Sequence, residues 1–105
     1  MIRFSAETAC YEGGTSPNWC VVEVLVDGNE AAPGDGVDFA MDSTDNGTES
    51  RASWESHSTD RSILVGEGSH LVQVVGYLTD FGGTGTQLFW TGERSMTVER
   101  ALLPV

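Results

Sequence analysis

Lysine is absent from this chain, and its only permanent cations are five arginines. Sixteen aspartates and glutamates leave a formal net charge of −11 at pH 7. A surface of this kind repels the phosphate backbone of nucleic acids and the headgroups of anionic membranes at physiological salt. We therefore expect no nucleic-acid partner.

Long hydrophobic runs are missing as well. The apolar segments around Val24 and Leu78 are far shorter than the ~20 residues that a membrane-spanning helix requires. The first residues, MIRFSAETACYEGG, show no basic start followed by an apolar block, so no secretory signal peptide is predicted. We expect one soluble domain, residues 1–105, with no membrane insertion.

Cysteine is scarce too: Cys10 and Cys20 flank the loop-like stretch YEGGTSPNW. If the flanking strands lie side by side, a disulfide would close this loop and add about 2–3 kcal/mol in the chain-entropy model. Free thiols are the alternative, and zinc binding is disfavoured because His57 and His70 are distant in sequence. A disulfide would place the working protein outside a reducing cytosol.

Alternation of apolar and polar residues, which is typical of strands with one wet face, runs through most of the chain. It predicts an all-β fold, an antiparallel β-sandwich of about seven to eight strands, jelly-roll or immunoglobulin-like. Asp27-Gly28 predicts a type I′ hairpin turn. The predicted strands are Ile2–Glu7, Cys20–Asp27, Val37–Asp42, Arg51–His57, Arg61–Val65, Ser69–Asp80 and Thr86–Arg100, the last broken at Gly92.

Several of these strands carry predictions about the interior. Trp54 is expected to anchor the core. The side chains expected to face inward are Val37, Phe39, Met41, Met96 and Val98.

The segment Ser69–Asp80 is the longest uninterrupted run of β-branched and aromatic residues, and we expect it to be a central strand. Gly76 within it predicts a bulge or a close backbone approach. Both faces of the strand are partly apolar, so the second face needs a cover, either a loop or another subunit. Self-association is therefore predicted, with Leu102, Leu103 and Val105 at the interface; the alternative is that they fold back on their own sandwich.

The polar stretch DSTDNGTES starts at Asp42 and suggests a weak calcium site formed by Asp42, Asp45 and Glu49. It matches only the first part of an EF-hand loop, because Ser53 stands where a bidentate glutamate is needed. A solvated turn capped by Asp and Asn side chains is the alternative. No metal and no cofactor is therefore expected.

Ser56, His57, Ser58 and Asp60 superficially resemble a hydrolase triad. Neighbours in a strand point to opposite faces, which keeps Ser56 away from His57, and no glycine-rich elbow accompanies them. The chain is therefore predicted not to be an enzyme.

The succession WCVVEVLVDG, SWESHSTDRS, GEGSHLVQVVGYL and an aromatic-rich hairpin ending in MTVER, from Cys20 to Arg100, resembles known domains. These are the small β-sandwich head or decoration domains of phage particles, tail fibres and bacterial surface proteins, including jelly-roll heads similar to C1q. The resemblance implies a structural or adhesive module, often assembled as trimers or arrays, on a virion or extracellular surface. It carries over no functional residue.

Tryptophan supports an alternative, a carbohydrate-binding module, since sugars stack on exposed aromatic rings. Trp19 and Trp90 are the candidates for sugar stacking. Burial or interface packing is the competing interpretation for each ring. Exposed rings would favour the carbohydrate-binding module, and buried rings the structural module.

Overall fold

The protein is all-β, and its computed structural model describes residues 1–12, 18–34, 40–44, 54–80 and 87–100. No helix occurs in these ranges, and hence none that is long and apolar enough to cross a membrane. The seven strands are β1 (Ile2–Glu12), β2 (Asn18–Val26), β3 (Asn29–Glu30), β4 (Ala40–Ser43), β5 (Glu55–Arg61), β6 (Val72–Asp80) and β7 (Gln87–Val98).

The strands form two antiparallel sheets packed as a sandwich, as the alternation predicted. The first sheet has the order β5-β1-β7. In the second sheet, β2 pairs with β6 along its whole length, and its other edge pairs with β3 and β4. The central strands are therefore β1 and β2.

The prediction that Ser69–Asp80 is a central strand is wrong. The strand in that segment, β6, pairs with β2 alone among the described strands and forms an edge of the second sheet. The run of β-branched residues identifies a strand, but it carries no information about which strands lie on either side. Gly76 pairs with Val22 without a register shift, so there is no bulge; instead the Phe89 ring lies over it.

The turn at Asp27-Gly28 is confirmed. Asp27 and Gly28 have φ angles of 51° and 84°, and Val26 pairs with Asn29 across them. Both central residues of a type I′ turn need positive φ, which explains why this dipeptide reverses the chain. The turn joins β2 to β3.

The core lies between the sheets and consists mainly of even-numbered residues of β1 and β2. Ile2 packs with Val24, Val26 and Ala31, while Phe4, Ala6 and Val22 form a second cluster. These side chains alternate with residues facing outward, as the period of two in a strand requires.

Cys10 and Cys20 are bridged, with an S–S distance of 2.04 Å, and both are fully buried. This prediction is confirmed, but with a different geometry from the one expected. The two cysteines lie on β1 and β2, which belong to opposite sheets, so the disulfide joins the two layers instead of two neighbouring strands.

Several predicted details need correction. Trp54 is 41% exposed and lies before β5 instead of in the core. Segment 51–57 was expected to be one strand and 61–65 another, whereas a single strand, β5, spans Glu55–Arg61. Met41 is half-buried against Phe4, Ala6 and Val22, whereas Val37 and Phe39 lie outside the described residues.

Met96 and Val98 have the predicted orientation without the expected burial. They pair with Phe4 and Ile2, whose side chains face the core, so they point to the same side of the sheet. Met96 is nevertheless 46% exposed and Val98 58% exposed. Strand β7 also runs through Gly92 unbroken, with a register shift opposite Glu7.

Candidate functional site

The two sheets have edges that face each other on two sides of the sandwich. On one side, β6 of the second sheet faces β7 of the first, and we call this the apolar side. On the other side, β4 contacts β5, and we call this the polar side. The side chains that line these two sides differ in chemistry and are described in turn.

The apolar side is an open cleft of about 720 Å³. Its floor comes from the central strands, with Phe4 of β1 and Val22 of β2, and its walls come from the two edge strands. The wall residues are Val74, Gly76, Tyr77 and Leu78 of β6 and Phe89, Thr91 and Arg94 of β7.

Side chains that point toward the interior remain in contact with water along this cleft. Leu78 pairs with Cys20 and so faces the core, yet it is exposed, as are Met96 and Val98 farther along β7. Because the outer edges of β6 and β7 pair with no other described strand, both also present unpaired backbone groups. The apolar side therefore has both apolar side chains and hydrogen-bonding groups to offer a partner.

Arg94 adds a positive charge to the cleft. It pairs with Ala6 beyond the register shift and donates a hydrogen bond from Nη1 to Thr91 Oγ1 at 3.3 Å. An inward-facing charge on an edge strand is one of the devices that prevent unspecific strand pairing. It also favours a partner that carries a carboxylate.

The polar side brings together Asp42 of β4 with Glu55 and His57 of β5. His57 Nε2 lies 3.7 Å from Asp42 Oδ1 and 3.4 Å from Glu55 Oε2. The Asp42 side chain is only 5% exposed, and its Oδ2 accepts a hydrogen bond of 2.7 Å from the buried Thr8 Oγ1. Thr8 lies on β1, so this hydrogen bond connects the two sheets.

An aromatic pair lies on the outer face of the first sheet. The Trp54 and Trp90 rings are stacked, with centroids 6.1 Å apart and an interplanar angle of 19°. Trp90 pairs with Ala9, which is buried, and Trp54 directly precedes Glu55, the partner of Thr8 on the other edge of β1. A Cβ atom at Gly92 would lie 3.3 Å from Trp54 Cζ3, so the missing side chain leaves room for this indole.

A fourth feature, a polar contact, lies at the end of the sandwich near the β2–β3 turn. His70 Nδ1 bonds Asp27 Oδ2 at 2.6 Å, and His70 Nε2 bonds the Gly66 carbonyl at 2.7 Å. Both partners are acceptors, so the two contacts favour the imidazolium form, in which both ring nitrogens carry protons. The hydrogen bond to Asp27 is the main cause that raises the pKa of His70, and the same bond lowers the pKa of Asp27.

The predicted site residues are distributed unevenly among these features. Trp90 is exposed as required for sugar stacking, but its neighbour is Trp54, whereas Trp19 is half-buried. Ser56 is exposed on the outer face and His57 points inward, as their positions on a strand predicted. Asp42 lies against β5. The remaining predicted site residues, Asp45, Glu49, Leu102, Leu103 and Val105, lie outside the described residues.

Sequence reasoning missed Glu55, Thr8 and the partnership of Trp54 with Trp90. The spacing of Glu55 and His57 was a usable signal, because residues two apart in a strand share a face. Thr8 and Asp42 come from opposite sheets, and no local pattern connects them.

The fold defines the protein as an antiparallel β-sandwich with a disulfide between its layers. No protein-family model, no curated protein and no solved structure matches the chain. The function is therefore inferred from the site geometry.

Proposed function

We propose that the protein is a non-catalytic structural or adhesive module that works as a homo-oligomer or repeated subunit of a virion or cell-surface assembly. The observation that carries the proposal is the apolar cleft between β6 and β7. Covering an exposed leucine or methionine completely stabilises a complex by roughly 1.5–3 kcal/mol per side chain. Leu78, Met96 and Val98 contribute exposed apolar surface to such a contact.

The occupant of this cleft is a second copy of the chain, which contributes Leu102 and Leu103. Leu103 lies three residues beyond Arg100 and therefore within about 10 Å of it. Phe89, in the wall of the cleft, lies eleven residues before Arg100, roughly 35 Å back along an extended strand. In this proposal the part of the cleft around Phe89 is therefore covered by a neighbouring copy.

Strand addition supplies the remaining contacts. An extended segment laid along β6 or β7 would satisfy the unpaired backbone groups of these edges and place alternate side chains in the cleft. Arg94 is available to a carboxylate of the second copy. The disulfide supports an oxidising, extracellular setting for such an assembly.

The test is the subunit number of purified protein over a concentration series, measured by mass photometry and sedimentation velocity. We expect wild-type protein to assemble, and Leu78→Glu or truncation after Arg100 to leave it monomeric. Leu64→Glu is the matched control, because Leu64 is 76% exposed and lies outside the cleft. A wild-type protein that stays monomeric at high concentration contradicts the proposal.

A second candidate function, carbohydrate binding, is favoured by the exposed Trp54–Trp90 pair. Two parallel indoles provide a platform on which a sugar ring can stack. Tryptophan fluorescence titrated with an oligosaccharide panel tests it, with Trp90→Ala expected to abolish binding and Trp19→Phe to preserve it. A flat response of the wild type to every glycan rejects this function.

The absence of catalysis is proposed on the separation of Ser56 and His57, which point to opposite faces of β5. We expect no turnover of ester, peptide or glycan substrates. Hydrolysis that disappears in His57→Ala, with unchanged stability, would overturn this part of the proposal.

A further inference from the structure

We propose that Asp42, Glu55 and His57 form a binding site for one divalent transition-metal ion, for which Zn²⁺ is the probe. Glu55 and His57 share the inner face of β5, at the edge of the first sheet. Asp42 reaches them from β4, at the edge of the second sheet. The site therefore bridges the two layers on the polar side.

The distances among the three groups fit a metal ion better than they fit hydrogen bonds. His57 Nε2 is buried and makes no hydrogen bond within the described residues, although two carboxylates flank it at 3.4 and 3.7 Å. Two ligands on a tetrahedral zinc ion with bonds near 2.1 Å are separated by about 3.4 Å. All three ligand atoms lie within 4.8 Å of one another, so a small inward movement completes the set.

The neighbours of Asp42 hold its carboxylate in a fixed orientation. Thr8 Oγ1 donates to Oδ2, and the Ser43 backbone N–H donates to Oδ1 at 2.7 Å. Oδ1 is also the atom that lies 3.7 Å from His57 Nε2. Hydrogen bonds of this kind orient metal ligands and raise the affinity of the site.

Charge also favours a cation at this position. Two carboxylates converge on one imidazole, and the Asp42 carboxylate is almost completely removed from water. A buried carboxylate is costly unless a positive charge balances it, and a divalent ion neutralises both carboxylates at once.

The donor set selects among metals. One imidazole nitrogen with two carboxylate oxygens suits Zn²⁺ and similar transition-metal ions, whereas Ca²⁺ takes six to eight oxygen ligands. The exposed Glu55 leaves the fourth position open to water. The site thus differs in both composition and metal from a calcium loop made of Asp42, Asp45 and Glu49.

The experiment is isothermal titration of EDTA-dialysed full-length protein with Zn²⁺, together with NMR of the two imidazoles. We expect one equivalent to bind, to shift the His57 ring signals and leave those of His70, and to resist displacement by millimolar Ca²⁺. His57→Gln and Glu55→Gln should weaken binding about tenfold or more, since each removes a direct ligand.

The matched control is His70→Gln, which alters the only other histidine, itself paired with an aspartate. This variant should bind Zn²⁺ like the wild type. Because the NMR measurement uses wild-type protein, it remains decisive even if a variant fails to fold. Absence of Zn²⁺ binding, or a shift of the His70 ring instead of the His57 ring, overturns the proposal.

Discussion

On the polar side of the sandwich, Thr8 and Asp42 hydrogen-bond across the layers and His57 lies close to Asp42, whereas on the apolar side Leu78 of β6 and Met96 of β7 remain exposed. The two sides belong to the same pair of sheets. The first side is connected by groups within one chain. The second leaves its contacts to a partner, so side-chain chemistry at the edges determines which side is available for assembly.

The largest expected effect on stability comes from removing the disulfide that joins the two sheets. Cys10→Ser with Cys20→Ser should lower the free energy of unfolding by about 2–3 kcal/mol, because the short loop is no longer constrained in the unfolded chain. Urea unfolding with and without a reducing agent measures this loss. A reducing agent should destabilise the wild type and leave the double variant unchanged; equal responses would contradict the prediction.

The next prediction compares the loss of a threonine hydroxyl on the polar side with the same loss on the apolar side. Thr8→Val removes the buried hydroxyl that bonds Asp42, leaves the carboxylate under-satisfied and should cost about 1–3 kcal/mol of stability. Thr91→Val is the matched control on the apolar side, where the hydroxyl is exposed and accepts only the long bond from Arg94. Its cost should stay within about 0.5 kcal/mol. Similar thermal shifts for both variants would contradict the distinction between the sides.

On the apolar side, one substitution is expected to stabilise the protein. A Cβ atom at Gly76 would meet the Phe89 ring at 3.6 Å, an ordinary contact distance, so Gly76→Ala should fit the cleft. We expect a gain of about 0.4–1 kcal/mol, since alanine also restricts the unfolded chain. Chemical denaturation measures it, and Gly28→Ala, at a φ of 84°, should be destabilising in the same assay.

The smallest expected effect is a pH dependence of stability at the contact between His70 and Asp27, which lies at the end of the sandwich. The raised pKa of His70 means that its contribution is complete below the ordinary histidine pKa and is lost as the pH rises through the folded-state value. The lowered pKa of Asp27 means that its contribution is lost as the pH falls through its own folded-state value. The contact should therefore be strongest between the ordinary pKa of aspartate and that of histidine.

An NMR titration of His70, with hydrogen exchange at the Leu71 amide that bonds Asp27, measures this contact. Asp27→Asn should bring the pKa of His70 back toward its ordinary range. An unchanged titration curve in that variant would show that Asp27 does not hold the imidazolium.

Local patterns predicted the features that local physics determines. The period of two identified the strands and the facing of Met96 and Val98, and Asp27-Gly28 specified its turn because its backbone conformation depends on those two residues alone. The exposure of Met96 was not predicted, because it depends on whether the opposite sheet extends over this residue. The same limit applies to Trp54, whose alternation fitted a core position although its indole stacks on Trp90 outside.

The candidate metal site shows the limit most clearly. The sequence pattern placed Asp42 in a polar loop and His57 beside Ser56, in a triad that strand geometry rejects. Their contact depends on which strands occupy the edges of two different sheets, and the sequence of either strand does not determine this. The disulfide was predictable because the two cysteines were the only pair available, although its position between the layers was not.

The bond between Cys10 and Cys20 also determines how the domain responds to a mechanical load. Tension applied along the polypeptide passes from β1 to β2 through the sulfur atoms, so the segment between the two cysteines carries no force. That segment, with a sequence separation of 10, would otherwise add roughly 35 Å of extensible length. A pulled domain should therefore extend by that much less in its oxidised form than in its reduced form.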